Sequence, residues 1–135
     1  MEPLTLPDYL TARMVPGDYL LHITWLRGVS TLEYREGIRL TKQILLENNI
    51  RLWLVDSRLL THVTFEDQQW IMKEIVPLLL ESNLQKVARV VKPDVFSYIT
   101  FENMMRKAQE CYNVQGHMEQ FTTVESALAW LHMND

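Results

Sequence analysis

The sequence has little of several features that define particular protein classes. Its 135 residues include a single cysteine, Cys111, so no disulfide can form within the chain and an oxidising compartment is not required. Lysine and arginine number 13 against 17 aspartate and glutamate residues, which gives no reason to expect the basic surface that duplex nucleic acid demands. No apolar run approaches the roughly 18 residues of a membrane span. We expect a cytoplasmic protein with no integral membrane segment and no nucleic-acid partner.

The composition is that of an ordinary globular protein. Hydrophobic residues make up 47% of the chain and charged residues 22%, which excludes a disordered chain, a collagen-like repeat and a coiled coil. A chain of this length can bury one sizeable core. The prediction is one domain that spans residues 1–135.

The stretch from Ile50 to Trp70 predicts a buried strand, a loop and the start of a helix. Residues 51–55 form an apolar run without alternation, which is typical of a strand covered on both faces in a parallel sheet. Asp56, Ser57 and Arg58 follow it directly. Ligands usually bind beyond the carboxyl ends of the strands in open α/β sheets, so these three residues are the first candidates for a site.

The rest of the chain alternates in the same way. Residues 9–26 predict a β-hairpin, because Val15-Pro16-Gly17-Asp18 places proline and glycine at the central positions of a type II turn. Further strands are predicted at residues 86–91 and 118–121. The predicted order is β-β-α-β-α-β-α-β-α. This is an α/β fold in which a hairpin and right-handed crossovers form a mixed, mostly parallel five-stranded sheet.

Each predicted helix opens with a side chain that can cap its first amides. The four pairs are Ser30 with Glu33, Thr64 with Asp67, Thr100 with Asn103, and Thr122 with Glu125. A hydroxyl at the N-cap accepts from the third amide of the helix, and a glutamate there can reach back. We interpret the likeness of residues 64–67 to residues 100–103 as repeated capping chemistry, not as an internal repeat.

A set of motifs lies in order along nearly all of the chain, from about Tyr9 to Leu131. They are Trp53-Leu54-Val55-Asp56, Thr64-Phe65-Glu66-Asp67-Gln68-Gln69-Trp70, Pro77, Lys86-Val87-Ala88-Arg89-Val90-Val91, Asp94-Val95-Phe96 and Ala127-Leu128-Ala129-Trp130-Leu131. This set resembles the SpoIIAA-like branch of the STAS superfamily, small bacterial proteins whose fold is similar to that of CRAL-TRIO lipid-transfer proteins. The resemblance implies a β-α superhelical fold and no established enzymatic activity.

One stretch departs from that family's pattern. Anti-sigma-factor antagonists begin the second helix with an Asp-Ser-Ser-Gly type sequence whose serine is phosphorylated, whereas this chain has His62-Val63-Thr64-Phe65. Thr64 lies at about the right place without the small polar neighbours. We therefore interpret Thr64 as an N-cap and not as a phosphorylation switch.

The sequence offers no established pattern for catalysis or metal binding. Cys111 has His117 six residues on, but no aspartate or asparagine is placed to orient that histidine. The histidines lack the spacings of known metal sites; they are His22, His62, His117 and His132. Asp56 lacks the acidic pair that a magnesium-dependent receiver domain needs, and we interpret it as a cap for the loop amides. We expect no cofactor and no metal.

The topology suggests an anion site, beside the more usual interpretation in which solvated charges stabilise the helix ends. Arg27, Arg58 and Lys92 follow predicted strands, on the same edge as the helices begun by Ser30, Thr64 and Thr100. Free helix amides and basic side chains together can bind a phosphate or a lipid headgroup. Acidic residues in the first turns oppose this by neutralising the field; they are Glu33, Glu66, Asp67 and Glu102.

The resemblance also implies that the helices cover one face of the sheet. Leu10, Leu20 and Leu26 on the other face would then need covering, and a homodimer would supply it. Four tryptophans and seven methionines are residue types that suit adaptable contacts with a partner.

The function predicted from the sequence is a non-catalytic regulatory or binding module of the SpoIIAA-like type. It would bind a protein partner or a small anionic or lipid ligand at Asp56, Ser57, Arg58, Arg27, Lys92 and Thr64. One alternative is an enzyme that acts on an acyl or phosphoryl substrate at Asp56, Ser57 and Cys111. Another is carriage of an apolar ligand between a helix and the sheet.

Overall fold

The computed structural model of the protein describes residues 5–61 and 63–133, apart from the side chains of residues 16 and 95–97; His62 therefore lies outside the described residues. Within them, strands and helices follow one another in the predicted order. The strands are β1 (Leu10–Val15), β2 (Leu20–Trp25), β3 (Leu52–Asp56), β4 (Lys86–Val90) and β5 (Met118–Phe121). The helices are α1 (Thr31–Glu47), α2 (Phe65–Glu81), α3 (Val95–Tyr112) and α4 (Val124–Leu131).

The strands lie side by side in the order of the sequence, with β3 in the centre. The pair β1 and β2 is antiparallel, and every later pair is parallel. All five residues of β3 are buried, as an apolar run without alternation predicts for a central strand. The predicted fold class, a mixed and mostly parallel five-stranded sheet with an amino-terminal hairpin, is confirmed.

The hairpin turn differs from the predicted type. Pro16–Asp18 form a short 3-10 helix, and the left-handed backbone conformation falls on Tyr19, whose φ is 53°, instead of on Gly17. The Tyr19 carbonyl accepts from the amides of Arg51 and Leu52 over 2.9 and 3.1 Å. These contacts with the start of β3 hold Tyr19 in a conformation that a non-glycine residue seldom adopts, and the type II prediction is wrong.

The helices cover both faces of the sheet. The first three helices pack on the face of the sheet that contains Ile23 and Trp53, and together they form one core. Helix α4 packs on the opposite face over β3 and β4, where Ala127 and Leu131 are buried against Leu54. The expectation of a single covered face is therefore wrong, because the last helix crosses to the other side.

That correction removes part of the argument for a homodimer. Leu10 lies in the core under the first three helices, and Leu20 is buried on the face that α4 covers. Of the three leucines named above, only Leu26 is exposed. The homodimer stays a prediction, which light scattering at micromolar concentration would test.

Two of the four predicted caps are confirmed. Ser30 and Glu33 form a complete capping box at α1, and the Thr64 hydroxyl accepts from the Asp67 amide over 3.0 Å. Thr100 lies inside α3, which begins at Val95, so the prediction that Thr100 and Asn103 cap the start of a helix is wrong.

At α4 the N-cap is one residue later than predicted. Thr123 accepts from the amide of Ser126 over 3.1 Å, and its carbonyl accepts from Ala127. This start brings Ala127 and Leu131 onto the sheet. The prediction of a capping box formed by Thr122 and Glu125 is wrong, because the burial of the helix face selects Thr123.

Candidate functional site: a cavity at the carboxyl ends of the strands

A cavity of about 380 Å³ lies where β3 and β4 end and where α2 and α3 begin. We call it the rim cavity. Its polar lining residues are Ser57, Arg58, Gln68, Arg89, Lys92 and Tyr98, together with Thr61 and Asp94. Leu60, Val63 and Val91 supply an apolar part of the wall. Of the six residues predicted for a site, Ser57, Arg58 and Lys92 line the cavity, whereas Asp56, Arg27 and Thr64 do not.

Asp56 and Arg58 form a two-point ion pair after β3. Arg58 donates from Nη2 to Oδ2 of Asp56 over 2.7 Å and from Nε to Oδ1 over 3.0 Å, and its amide donates to Oδ1 over 3.1 Å. Burial acts to raise the pKa of Asp56, but the hydrogen bonds from Arg58 outweigh burial and lower the pKa. Asp56 therefore caps its loop, as interpreted from the sequence, and neutralises much of the charge of Arg58.

Ser57 is buried directly after the end of β3. Its amide donates to the Val90 carbonyl over 2.8 Å, which continues the pairing of β3 with β4 by one residue. Successive side chains of a strand point to opposite faces. The Asp56 side chain accordingly faces the side that α4 covers, and Ser57 faces the side of α2 and α3.

Arg27 contacts residues at the start of α1 and lies outside the rim cavity. It donates to Glu33 over 2.9 Å and contacts Asp8 at 3.5 Å, with its guanidinium 5.1 Å from the centre of the Tyr9 ring. Hydrogen bonds from Arg27 and then Ser30 hold the pKa of Glu33 at about 2. Arg27 is thus a neutralised partner of a capping box.

The amino terminus of α2 is occupied by the protein's own groups. Thr64 caps it, and the buried carboxylate of Asp67 accepts from the Thr31 hydroxyl over 2.9 Å and from Arg35 Nε over 3.4 Å. Thr100 does not begin a helix. The predicted arrangement of three helix amino termini around one anion is therefore wrong, and the cationic side chains remain as the basis for an anion site.

Sequence reasoning did not select Arg89, which is the most distinctive charge of the rim cavity. The side chain is largely buried, its guanidinium lies 3.9 Å from the centre of the Phe101 ring, and burial lowers its pKa to about 10. Within the described residues, it forms no ion pair with a carboxylate. One feature of the sequence could have identified Arg89. It is a charged residue between Val87 and Val91, on the face of β4 that is otherwise apolar.

Gln120 fixes the guanidinium of Arg89. Its Oε1 accepts from Arg89 Nη1 over 2.7 Å, while its Nε2 donates to the Tyr98 carbonyl over 3.2 Å and to Glu102 over 3.0 Å. Both ends of the amide are therefore engaged. Arg89 is held between the Phe101 ring and a neutral acceptor, and it lines the rim cavity.

The residues of the predicted enzymatic alternative do not come together. Cys111 is exposed near the carboxyl end of α3, whereas the rim cavity lies near the amino end of that helix. His117, proposed as a partner for Cys111, has Nδ1 2.6 Å from the Gln85 carbonyl. Asp56 and Ser57 point to opposite faces of the sheet, so the three side chains form no common site.

Residues 5–61 and 63–133 lack two further features. None of the helices there combines the length and apolar character needed to cross a bilayer. In the same part of the chain, no three side chains of histidine, cysteine, aspartate or glutamate come together in a way that could hold a metal ion.

The comparison with solved structures defines the fold as SpoIIAA-like. One matching structure is the crystal structure of an uncharacterized protein of the DUF3478 family, with a SpoIIAA-like fold, from Shewanella loihica PV-4. It has a TM-score of 0.55 and 17% sequence identity, and the match covers 90% of this chain and 91% of that one. At this identity the likeness concerns the fold alone. No protein-family model and no curated protein matches the chain.

Proposed function

We propose that this protein is a non-catalytic binding module that takes a small anionic ligand in the rim cavity. The observation that carries the proposal is Arg89, a largely buried cation whose side-chain partner is the neutral amide of Gln120. Charged side chains are seldom buried without a partner of opposite charge, because desolvation of an unpaired ion is costly. An anionic ligand would supply the missing charge.

The other charges of the cavity favour an anion of low charge. Asp56 already neutralises much of Arg58, and the carboxylate of Asp94 also lines the cavity. Arg89 and the exposed Lys92 then remain as the cations that a ligand would contact. A carboxylate or a single phosphate group suits this balance better than a polyphosphate chain, which carries more negative charge than these two cations neutralise.

The position and size of the cavity also support a small ligand. The carboxyl ends of parallel strands are the usual binding edge of an open α/β sheet. A volume of about 380 Å³ lies toward the lower end of the range of about 300–1,000 Å³ for small-molecule sites. The apolar side chains of Leu60, Val63 and Val91 would contact a short hydrocarbon part of the ligand.

We propose a non-catalytic module because Ser57, the hydroxyl that lines the cavity after β3, is not activated. Its hydroxyl forms no hydrogen bond with a histidine or carboxylate of the described residues, and a serine nucleophile needs such a base for activation. A screen against generic ester and phosphate substrates tests this part. Turnover that disappears in Ser57→Ala would contradict it and favour the enzymatic alternative.

The binding proposal is tested by thermal unfolding in inorganic phosphate and in butyrate, each compared with sodium chloride of equal ionic strength. A ligand at ten times its dissociation constant stabilises the folded state by about 1.4 kcal/mol, which raises the Tm by roughly 3–8 °C. Arg89→Gln should abolish the shift. Arg27→Gln is the matched control, because Arg27 lies on the same edge outside the cavity, and it should keep the shift. If neither anion raises the Tm, or if Arg89→Gln retains the full rise, the proposal is wrong.

A further inference from the structure

The outer surface of the protein has a second, larger groove between α2 and α3. Its volume is about 430 Å³. Met72, Val76 and Leu80 line one wall, and Met104, Ala108 and Tyr112 line the other. Leu80 and Tyr112 are each 54% exposed. Large apolar side chains that cluster at a surface normally mark a binding site. The groove is separate from the rim cavity and shares no lining residue with it.

The proportions of the groove suit a hydrocarbon chain. Its lining on α2 runs from Gln69 to Glu81, which is about 18 Å at a rise of about 1.5 Å per residue. A single extended hydrocarbon chain fits along this length of the groove.

The charges of the groove give such a chain a direction. Lys73 from α2 and Lys107 from α3 line its two walls, and neither forms an ion pair within the described residues. Glu81 lines the far end of the groove. An anionic head group would be attracted to the lysines and repelled by Glu81, so the apolar tail would extend past Leu80.

The distance between these charges sets the length of the ligand. Lys73 and Glu81 are eight residues apart on α2, which corresponds to about 12 Å. An extended chain advances about 1.2 Å per bond, so about ten carbon atoms span this distance. By contrast, a cavity between α2, α3 and the sheet has a volume of about 30 Å³, which is too small for the apolar ligand that one sequence interpretation placed between a helix and the sheet.

We propose that the groove between α2 and α3 binds a medium-chain fatty acid, with its carboxylate between Lys73 and Lys107 and its chain along Val76, Leu80 and Tyr112. Methionine side chains at Met72 and Met104 adapt readily to a hydrocarbon surface. The proposal is independent of the anion site in the rim cavity, because the two sites lie at different places along α3.

Cys111 supplies a reporter for this proposal in the unmodified protein. It is the one cysteine of the chain, it is exposed, and it lines the groove. The experiment measures the rate at which iodoacetamide, a neutral reagent, alkylates Cys111 at increasing decanoate below its micelle concentration. Decanoate should slow alkylation in a saturable manner, with one decanoate per chain by native mass spectrometry. No slowing at millimolar decanoate would overturn the proposal.

Three variants separate the parts of the proposed site. Lys73→Gln with Lys107→Gln should weaken decanoate by about three- to tenfold, while leaving protection by decanol unchanged. Leu80→Glu, at an exposed position that should not affect folding, should abolish protection by both compounds. Arg13→Gln removes a cation from β1 as the control and should bind decanoate normally. Equal protection in all three variants, or relief of protection by excess phosphate, would place decanoate elsewhere and contradict the proposal.

Discussion

Arg89 donates from Nη1 to Oε1 of Gln120 over 2.7 Å, so the partner of this largely buried guanidinium is a neutral amide and not a carboxylate. Gln120 is itself held by the Tyr98 carbonyl and by Glu102. A glutamate in place of Gln120 would have formed an internal ion pair. The neutral partner leaves the positive charge of Arg89 directed at the rim cavity, and the proposed function depends on this charge.

The first prediction places a carboxylate beside Arg89. Gln120→Glu combined with Glu102→Gln should reduce phosphate affinity at least tenfold, because an internal ion pair then neutralises Arg89. The second substitution preserves a hydrogen bond between positions 102 and 120. Titration calorimetry measures the affinity, and Glu102→Gln alone is the control that keeps the neutral partner. Unchanged affinity in the double variant would show that the charge of Arg89 does not contact the anion.

The second prediction concerns the pH dependence of stability through His22. Burial lowers the pKa of His22, although Asp56 partly opposes this effect, and Nε2 is buried without a hydrogen-bond partner in the described residues. Because the folded state binds the proton more weakly than the unfolded state does, the contribution of His22 is fully present above pH 6.5 and is lost as the pH falls through the lower, folded-state value.

Urea unfolding at pH 7 and pH 5 checks this prediction. The wild-type free energy of unfolding should fall between the two values, and His22→Leu should make that fall smaller. Asp56 contributes in a separate window, because its pKa is lowered from 3.8 and its stabilisation is lost only in more acidic solution. An unchanged fall between pH 7 and pH 5 in His22→Leu would contradict the assignment to His22.

The third prediction concerns the packing of α1 on the sheet. A Cβ atom added at Gly37 would lie 2.5 Å from Cη2 of Trp25, a ring that stacks on Tyr9 and Tyr34 in the core. Gly37→Ala should therefore lower the free energy of unfolding by about 1–3 kcal/mol through overpacking, even though alanine favours the helix by about 1 kcal/mol.

Gly17→Ala is the matched control for Gly37→Ala. Nothing lies within 4 Å of an added Cβ at Gly17, and its φ is not in the left-handed region. This variant should be neutral or stabilise the protein by up to about 1 kcal/mol. Denaturant titrations of the two variants give both values, and equal stability of the two would contradict the close contact between Gly37 and Trp25.

The fourth prediction distinguishes two adjacent threonines before α4. Thr123→Ala removes the side chain that accepts from the Ser126 amide and should cost about 0.5–2 kcal/mol. Thr122→Ala should change stability by less than about 0.5 kcal/mol, because Thr122 is exposed and surface substitutions have small effects. Chemical denaturation of both variants provides the test, and the reverse order would place the N-cap at Thr122.

The elements that sequence reasoning located depend on local interactions. The apolar run of β3, the capping box of Ser30 and Glu33, and the N-cap of Thr64 are each specified by residues that are close in the chain. The start of α4 was misplaced because it depends on the packing of Ala127 and Leu131 against the sheet, which a capping pattern does not contain.

The candidate site was only partly predictable for a similar reason. The positions of Ser57, Arg58 and Lys92 at strand ends follow from topology, and the structure brings them to one cavity. Whether a partner neutralises each charge depends on residues that are far away in the sequence. Arg89 and Gln120, for example, are 31 residues apart in the chain. Arg27 shows the same limit, because its contacts with Asp8 and Glu33 remove it from the predicted site.

The most direct test of the anion site is a nitrogen-15 NMR titration with inorganic phosphate that follows the side-chain Nε–H signal of Arg89. The account predicts a saturable shift of this signal, with accompanying shifts of the Ser57 and Gln68 amides, and no shift at Arg27. Shifts confined to Arg27 and to the first amides of α1, with the Arg89 signal unchanged, would contradict it.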